Sequence, residues 1–175
     1  GHALEHAAEE MKADRDIVIA AVRQNGRALQ HAAVPMKADR EIVRAAVKAD
    51  GWALRYAADP LKGDREIVLA AVTWHCYALK LASGRLQGDR EIVLAAVKQN
   101  SRMVKYASQE LKNDRDFWLA VVKEDGSALD HAADLTLDAI LLDRDVVLTA
   151  YQQLGLELTE EDQDPLSGRC ILMAY

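Results

Sequence analysis

Cysteine, aromatic residues, long apolar runs and any excess of basic charge are all scarce in this chain, and each scarcity excludes something. Two cysteines in 175 residues, Cys76 and Cys170, cannot make a disulfide framework or a cysteine-based zinc site. A charge interrupts the sequence every few positions, so no window approaches the 18 or so apolar residues that a membrane-spanning helix needs. With 22 basic against 28 acidic residues, the footprint of a nucleic-acid binder is missing. Aromatic residues make up only 5% of the chain, yet 50% of it is hydrophobic, which is too apolar for a disordered protein. What remains is an alanine-rich helical chain, long enough for one domain or a short repeat array.

A repeat is plainly present. The dipeptide Asp-Arg occurs at Asp14-Arg15, Asp39-Arg40, Asp64-Arg65, Asp89-Arg90, Asp114-Arg115 and Asp143-Arg144, at intervals of 25 residues and finally 29. Apolar pairs follow in phase: Ile17-Val18, Ile42-Val43, Ile67-Val68, Ile92-Val93, Phe117-Trp118 and Val146-Val147. A fixed period of this length signals an α-solenoid, in which each unit buries its apolar face on the next. Each unit reads as two short helices. Aspartate caps the first, a second acid occupies its first turn, and an apolar run follows. Gly26, Gly51 and Gly126 are expected to end that helix in the left-handed conformation, where Cys76 and Ser101 would each cost about 1 kcal/mol. The second helix carries Ala28, Leu29 and Ala32 on one stripe, and Pro35 and Pro60 mark the loop to the next unit.

The array is expected to cover residues 1–155, about six units with the first incomplete. Residues 156–175 would form an acidic cap, with five acids, one base and an apolar end at Ile171-Leu172-Met173-Ala174-Tyr175. Four extra residues between Leu135 and Leu142 require a longer loop or an added helical turn. The chain starts in repeat sequence without an initiator methionine, so it reads as a processed or partial piece, and a leader peptide stays open. The first unit lacks its first helix, which suggests that something else covers that end.

The unit G-x-A-L-x-(Y/H)-A-x-x-x-(L/M)-K-x-D-R-(E/D)-I-V-L-A-A-V-K, nearly intact from Asp89 to Asn100, resembles the repeats of the family called domain of unknown function 4116. The resemblance covers roughly residues 1–155. It implies an all-α repeat fold in a family found largely in microbial eukaryotes and some bacteria. No activity attaches to that family, so no catalytic residues carry over.

Five histidines raise the question of metal. His6, His31 and His131 share a phase with Tyr56, Leu81 and Tyr106, but stacked helices lie about 8–10 Å apart. Zinc needs its nitrogens about 2 Å from one ion, so these positions cannot converge and no metal or cofactor is expected. The Asp-Arg series could form an anion-binding ladder. The structural account is preferred, with Asp14, Asp39, Asp64, Asp89, Asp114 and Asp143 as caps and the arginines paired to acids such as Glu41, Glu66, Glu91 or Asp116. Nothing resembles a nucleophile elbow, a phosphate loop or a His-Glu metal motif. Cys76 follows His75 directly, and adjacent residues in a turn rarely align as nucleophile and base. No enzyme activity is expected.

Aromatic placement supplies the one candidate site. Trp52 and Tyr77 share a phase and should be neighbours along one edge, with Trp74 and His75 just before Tyr77. Trp74 occupies a position filled elsewhere by Gln24, Ala49, Gln99 and Glu124, so it should be exposed, as a binding hot spot would be. Phe117 and Trp118 stand in the core phase instead. The functional expectation is a non-enzymatic scaffold that binds other proteins through Trp52, Trp74, His75 and Tyr77, as a peripheral subunit of a multi-subunit assembly. It would neither bind nucleic acid nor span a membrane. Its compartment would be intracellular, with a plastid or mitochondrion left open. The alternatives are a regulatory or substrate-binding module of a longer multidomain enzyme or effector, and an anion or nucleotide receptor.

Overall fold

The computed structural model describes residues 2–135 and 138–155. The chain is an all-α helical repeat protein, with no strand among the described residues. The described residues fall into two compact units that divide between Ala96 and Val97. Six long helices follow the Asp-Arg phase: α1 (Arg15–Gln24), α2 (Arg40–Ala49), α3 (Arg65–Trp74), α4 (Arg90–Val97), α5 (Arg115–Glu124) and α6 (Arg144–Leu154). Their starts are dictated locally. In α1, Asp14 accepts hydrogen bonds from the backbone N–H groups of Asp16 and Ile17, satisfying two donors that have no partner inside the helix. The aspartates at 39, 64, 89, 114 and 143 do the same.

Between long helices the structure differs from the simple two-helix expectation. The second element is a 3-10 helix, as at Gly26–His31, Gly51–Tyr56 and Cys76–Leu81 in the first unit. A single further turn, such as Val34–Lys37 or Asp59–Gly63, leads to the next aspartate. Pro35 and Pro60 belong to the first turn of these short helices rather than to a loop. Helix starts accept proline because its missing N–H would have had no partner there.

Within the first unit, α1 packs on α2 and α2 on α3. Ile42, Val43, Ala46, Val47, Ile67, Val68, Ala71 and Val72 are wholly buried between them. A backbone stitch repeats from one period to the next. The N–H groups of Ala33, Ala58 and Ser83 donate to the carbonyls of Lys12, Lys37 and Lys62, each at 2.9 Å.

The phase glycines have a different role from the one expected. Among the described glycines only Gly155, closing α6, has a positive φ, at 67°. Gly26 and Gly51 instead open the 3-10 helices, pressed against the following long helix. A Cβ on Gly26 would lie 2.3 Å from the carbonyl oxygen of Ala46, and one on Gly51 would lie 2.4 Å from that of Ala71. Gly126 is equally close to Ala150 in the second unit, at 2.5 Å. Glycine is therefore selected here for close approach, not for a left-handed turn. Cys76 and Ser101 are spared the cost of that turn, but with a Cβ present their periods cannot copy the same approach.

In the second unit the four-residue insertion accompanies a change of helix type. The 3-10 helix gives way to an α-helix, Ala128–Asp134, followed by a short helix at Asp138–Leu141. Phe117 and Trp118 are fully buried in this unit. The Trp118 indole N–H donates to the carbonyl of Lys112 at 2.7 Å. In the first unit the corresponding lysine carbonyls take a backbone N–H from the next period; here a side chain supplies the proton. The expected acidic cap at 156–175 lies outside the described residues.

Candidate functional site

The aromatic edge is built where the chain departs from its own capping rule. Asn25 and Asp50 precede a 3-10 helix and accept the N–H two residues on, from Arg27 and Trp52. His75 holds that position before Cys76–Leu81 and makes no such bond. Losing a side-chain cap of this kind costs about 1 kcal/mol. Ring contacts appear in its place. The Trp52 and His75 rings meet edge to face with centroids 4.9 Å apart. Tyr77 lies nearly parallel to Trp52, 12° between planes and 6.4 Å between centroids, and touches His75 edge-on at 5.9 Å. One period earlier the same two phases hold an ion pair, Arg27 Nε to Asp50 at 2.7 Å. The Trp52–His75 pair is thus an aromatic rung replacing a charged one.

Trp52, His75 and Tyr77 form one cluster, with Trp52 and His75 half-buried and Tyr77 37% exposed. Trp74 stands beside it at the end of α3, 68% exposed. Sequence reasoning missed the neighbouring cavity of about 220 Å3, lined by Arg27, Trp52, Arg55 and Tyr56. Its signal was available, because Arg27 shares the phase of Trp52. The edge therefore offers flat rings beside two guanidinium groups, the mixture enriched at protein interfaces.

Cys76, behind this cluster, is buried, and burial pushes its thiol above the ordinary range against opposing hydrogen bonds from the backbone of Tyr77 and Cys76. A thiol in that state is a poor nucleophile. Among the histidines, His31 lies 2.7 Å from the Gln30 amide and His131 lies 3.5 Å from the Ser101 hydroxyl. Among the described residues no three His, Cys, Asp or Glu side chains gather to hold a metal.

The Asp-Arg series forms a ladder of ion pairs. Arg15 reaches Asp39 at 3.2 Å and also Glu41; Arg40 reaches Asp64 at 2.7 Å and Glu66 at 2.6 Å. Arg65 engages Asp89 at 2.8 Å and also Glu91. In the second unit Arg115 engages Asp143 at 2.6 Å and also Asp145. In each of these aspartates Oδ1 caps its own helix and Oδ2 accepts from the Nε of the preceding arginine, and Asp64 Oδ1 also accepts a longer bond of 3.4 Å from Arg40 Nη2. These four guanidinium groups are committed to carboxylates, which leaves them poorly placed to receive a free anion.

These contacts predict a pH response. The Arg40 guanidinium holds the Asp64 carboxyl below its usual range against partial desolvation, with the N–H groups of Ile67 and Glu66 assisting. Partial burial pulls Asp39, Asp89 and Asp143 upward, but backbone N–H groups and the arginines outweigh it, and these too are lowered. A depressed carboxylate stabilises the fold above its unfolded value, about 3.9, and that stability is lost as pH falls through the folded values. Melting temperature should accordingly fall below about pH 4. Asp64→Asn, which keeps a capping oxygen without the charge, should weaken that acid dependence. Asp64→Ala should cost about 1 kcal/mol at neutral pH for the lost cap. Thermal melts from pH 3 to 7 check both.

A repeat of ion-paired helices with this Asp-Arg phase defines the class as an α-helical repeat protein. The family model described as Domain of unknown function (DUF4116) matches residues 1–37, 39–87 and 89–135, and the chain belongs to that family. No curated protein and no solved structure matches it. Among the described residues no helix is long and apolar enough to cross a membrane.

Proposed function

We propose that the chain is a non-enzymatic protein-binding module that docks a partner on the edge formed by Trp52, Trp74, His75 and Tyr77, as a peripheral subunit of a larger assembly. The observation that carries this reading is Trp74, 68% exposed at the end of α3 beside three contacting rings. Burying a tryptophan in a partner's pocket is among the largest single contributions an interface can make, and truncating such a residue costs 2 kcal/mol or more. The uncapped His75 supports the same view, since a chain departs from its local rules mainly at functional or strained sites.

A photoreactive phenylalanine analogue at position 74 should cross-link a partner in native extract, whereas one at the exposed Gln30 should not. Trp74→Ala should weaken binding of the captured partner by about thirtyfold. The fold should not suffer, because little of that side chain is buried. Alanine at Trp52, Trp74 and Tyr77 together with unchanged affinity would remove the site. Elution of the native protein as a free monomer would remove the assembly.

A further inference from the structure

A second cavity, of about 420 Å3, lies between α1 and α2 in the first unit. Three cations line it, Arg23 from α1 and Arg44 and Lys48 from α2. All three are exposed, and none has an ion-pair or hydrogen-bond partner among the described residues. Each departs from the repeat in its own way. Lys98, at the phase of Arg23 and Lys48, pairs with Glu124 of the next period at 2.9 Å. The corresponding residues for Arg23 and Lys48 are Ala49 and Trp74, which have no carboxylate to offer. Arg44 stands where Ile19, Leu69, Leu94, Leu119 and Leu148 place an aliphatic side chain. Glu41 also lines the cavity, but Arg15 engages its carboxylate. In a chain of net charge −6, three unanswered cations around one groove are a local feature and not a matter of composition.

We infer that this groove binds an acidic helix of a partner protein, its carboxylates taken by Arg23, Arg44 and Lys48 and its apolar side chains laid on Ile19, Ala45 and Ala49. The choice of carboxylate rests on charge complementarity and on Lys98, where the fold itself supplies one to this phase. Spacing favours a helix. Arg44 and Lys48 lie about 6 Å apart along the axis of α2, and acids four residues apart on a partner helix repeat that interval. The apolar residues between the cations suit an amphipathic helix and give a bare phosphate nothing. Position disfavours a compact polyanion as well. Arg23 and Lys48 stand in the last turns of α1 and α2, where the N–H groups are used within the helix and the dipole is negative. None of these residues belongs to the aromatic edge, and the inference does not depend on that reading.

The probe is a short fluorescein-labelled peptide helix with glutamates four residues apart and leucines on the same face. A copy with glutamine for each glutamate is the control. Anisotropy at low salt should show the acidic peptide bound at least tenfold more tightly than the copy. Arg44→Leu, which restores the aliphatic residue of its phase, should weaken binding about fivefold. Arg23→Gln, Arg44→Leu and Lys48→Gln together should weaken it at least thirtyfold, with the melting temperature retained because these side chains are exposed. Lys80→Gln, Arg102→Gln and Lys123→Gln, which remove three exposed cations elsewhere, should change it by no more than about twofold. Equal losses in the two triple variants would reveal undirected charge attraction and overturn the proposal. Failure of the acidic peptide to bind, or equal binding of the two peptides, would do the same. Displacement of the peptide by inorganic pyrophosphate at equal concentration would assign the groove to a small anion and overturn the helix.

Discussion

Trp118→Ala is expected to lower stability by about 4 kcal/mol, the largest effect of any single substitution considered. Trp118 is the largest fully buried side chain, at a phase where the first unit uses Val18, Val43, Val68 and Val93. Truncation removes a large apolar volume that a tightly packed unit cannot close over. It also removes the donor for the Lys112 carbonyl. The two losses can be separated. Trp118→Phe keeps most of the ring volume but leaves that carbonyl without the indole, and an orphaned buried acceptor costs about 1–3 kcal/mol. Urea unfolding with a constant m-value gives both numbers. If Trp118→Phe is neutral, the hydrogen bond is dispensable and packing alone explains the tryptophan.

Gly51→Ala should rank next, at about 3 kcal/mol, although it adds one methyl group to a helix-forming segment. The added carbon would meet the Ala71 oxygen at 2.4 Å and the His75 Cβ at 2.9 Å, neither of which is the flexible end of a side chain. Two other glycines serve as controls on the cause. At Gly155 the strain is purely conformational, with φ at 67° and nothing near the added carbon, so alanine should cost about 1 kcal/mol. At Gly84 the space is open and φ is not positive, so alanine should gain several tenths of a kcal/mol by restricting the unfolded chain. Chemical denaturation of the three variants orders them. A Gly51→Ala cost no greater than that of Gly155→Ala would show that close approach does not select glycine there.

What could be read from the amino-acid order follows what is local. The Asp-Arg phase located every long helix because its signals, a capping carboxylate and an apolar run, act within one or two turns. The exposure of Trp74 could be read from the polar residues at its phase. The glycines were misjudged because the same residue answers two needs, a left-handed turn and close backbone contact. Only the second depends on where a helix some twenty residues later comes to lie. The 3-10 geometry was hidden for a related reason: Ala28 and Leu29 fit the apolar stripe of either helix type.

The stitches from Ala33, Ala58 and Ser83 each reach back only 21 residues, and Arg15, Arg40 and Arg65 reach forward by 24 and 26. Tension applied along the first unit is borne by these bonds, each of which spans about one period. It would release one period at a time, each freeing 25 residues of slack, roughly 80 Å of extended backbone. A stack held this way works as a series of short springs, yielding by steps and re-forming by steps, where a fold with long-range pairing would break once and entirely.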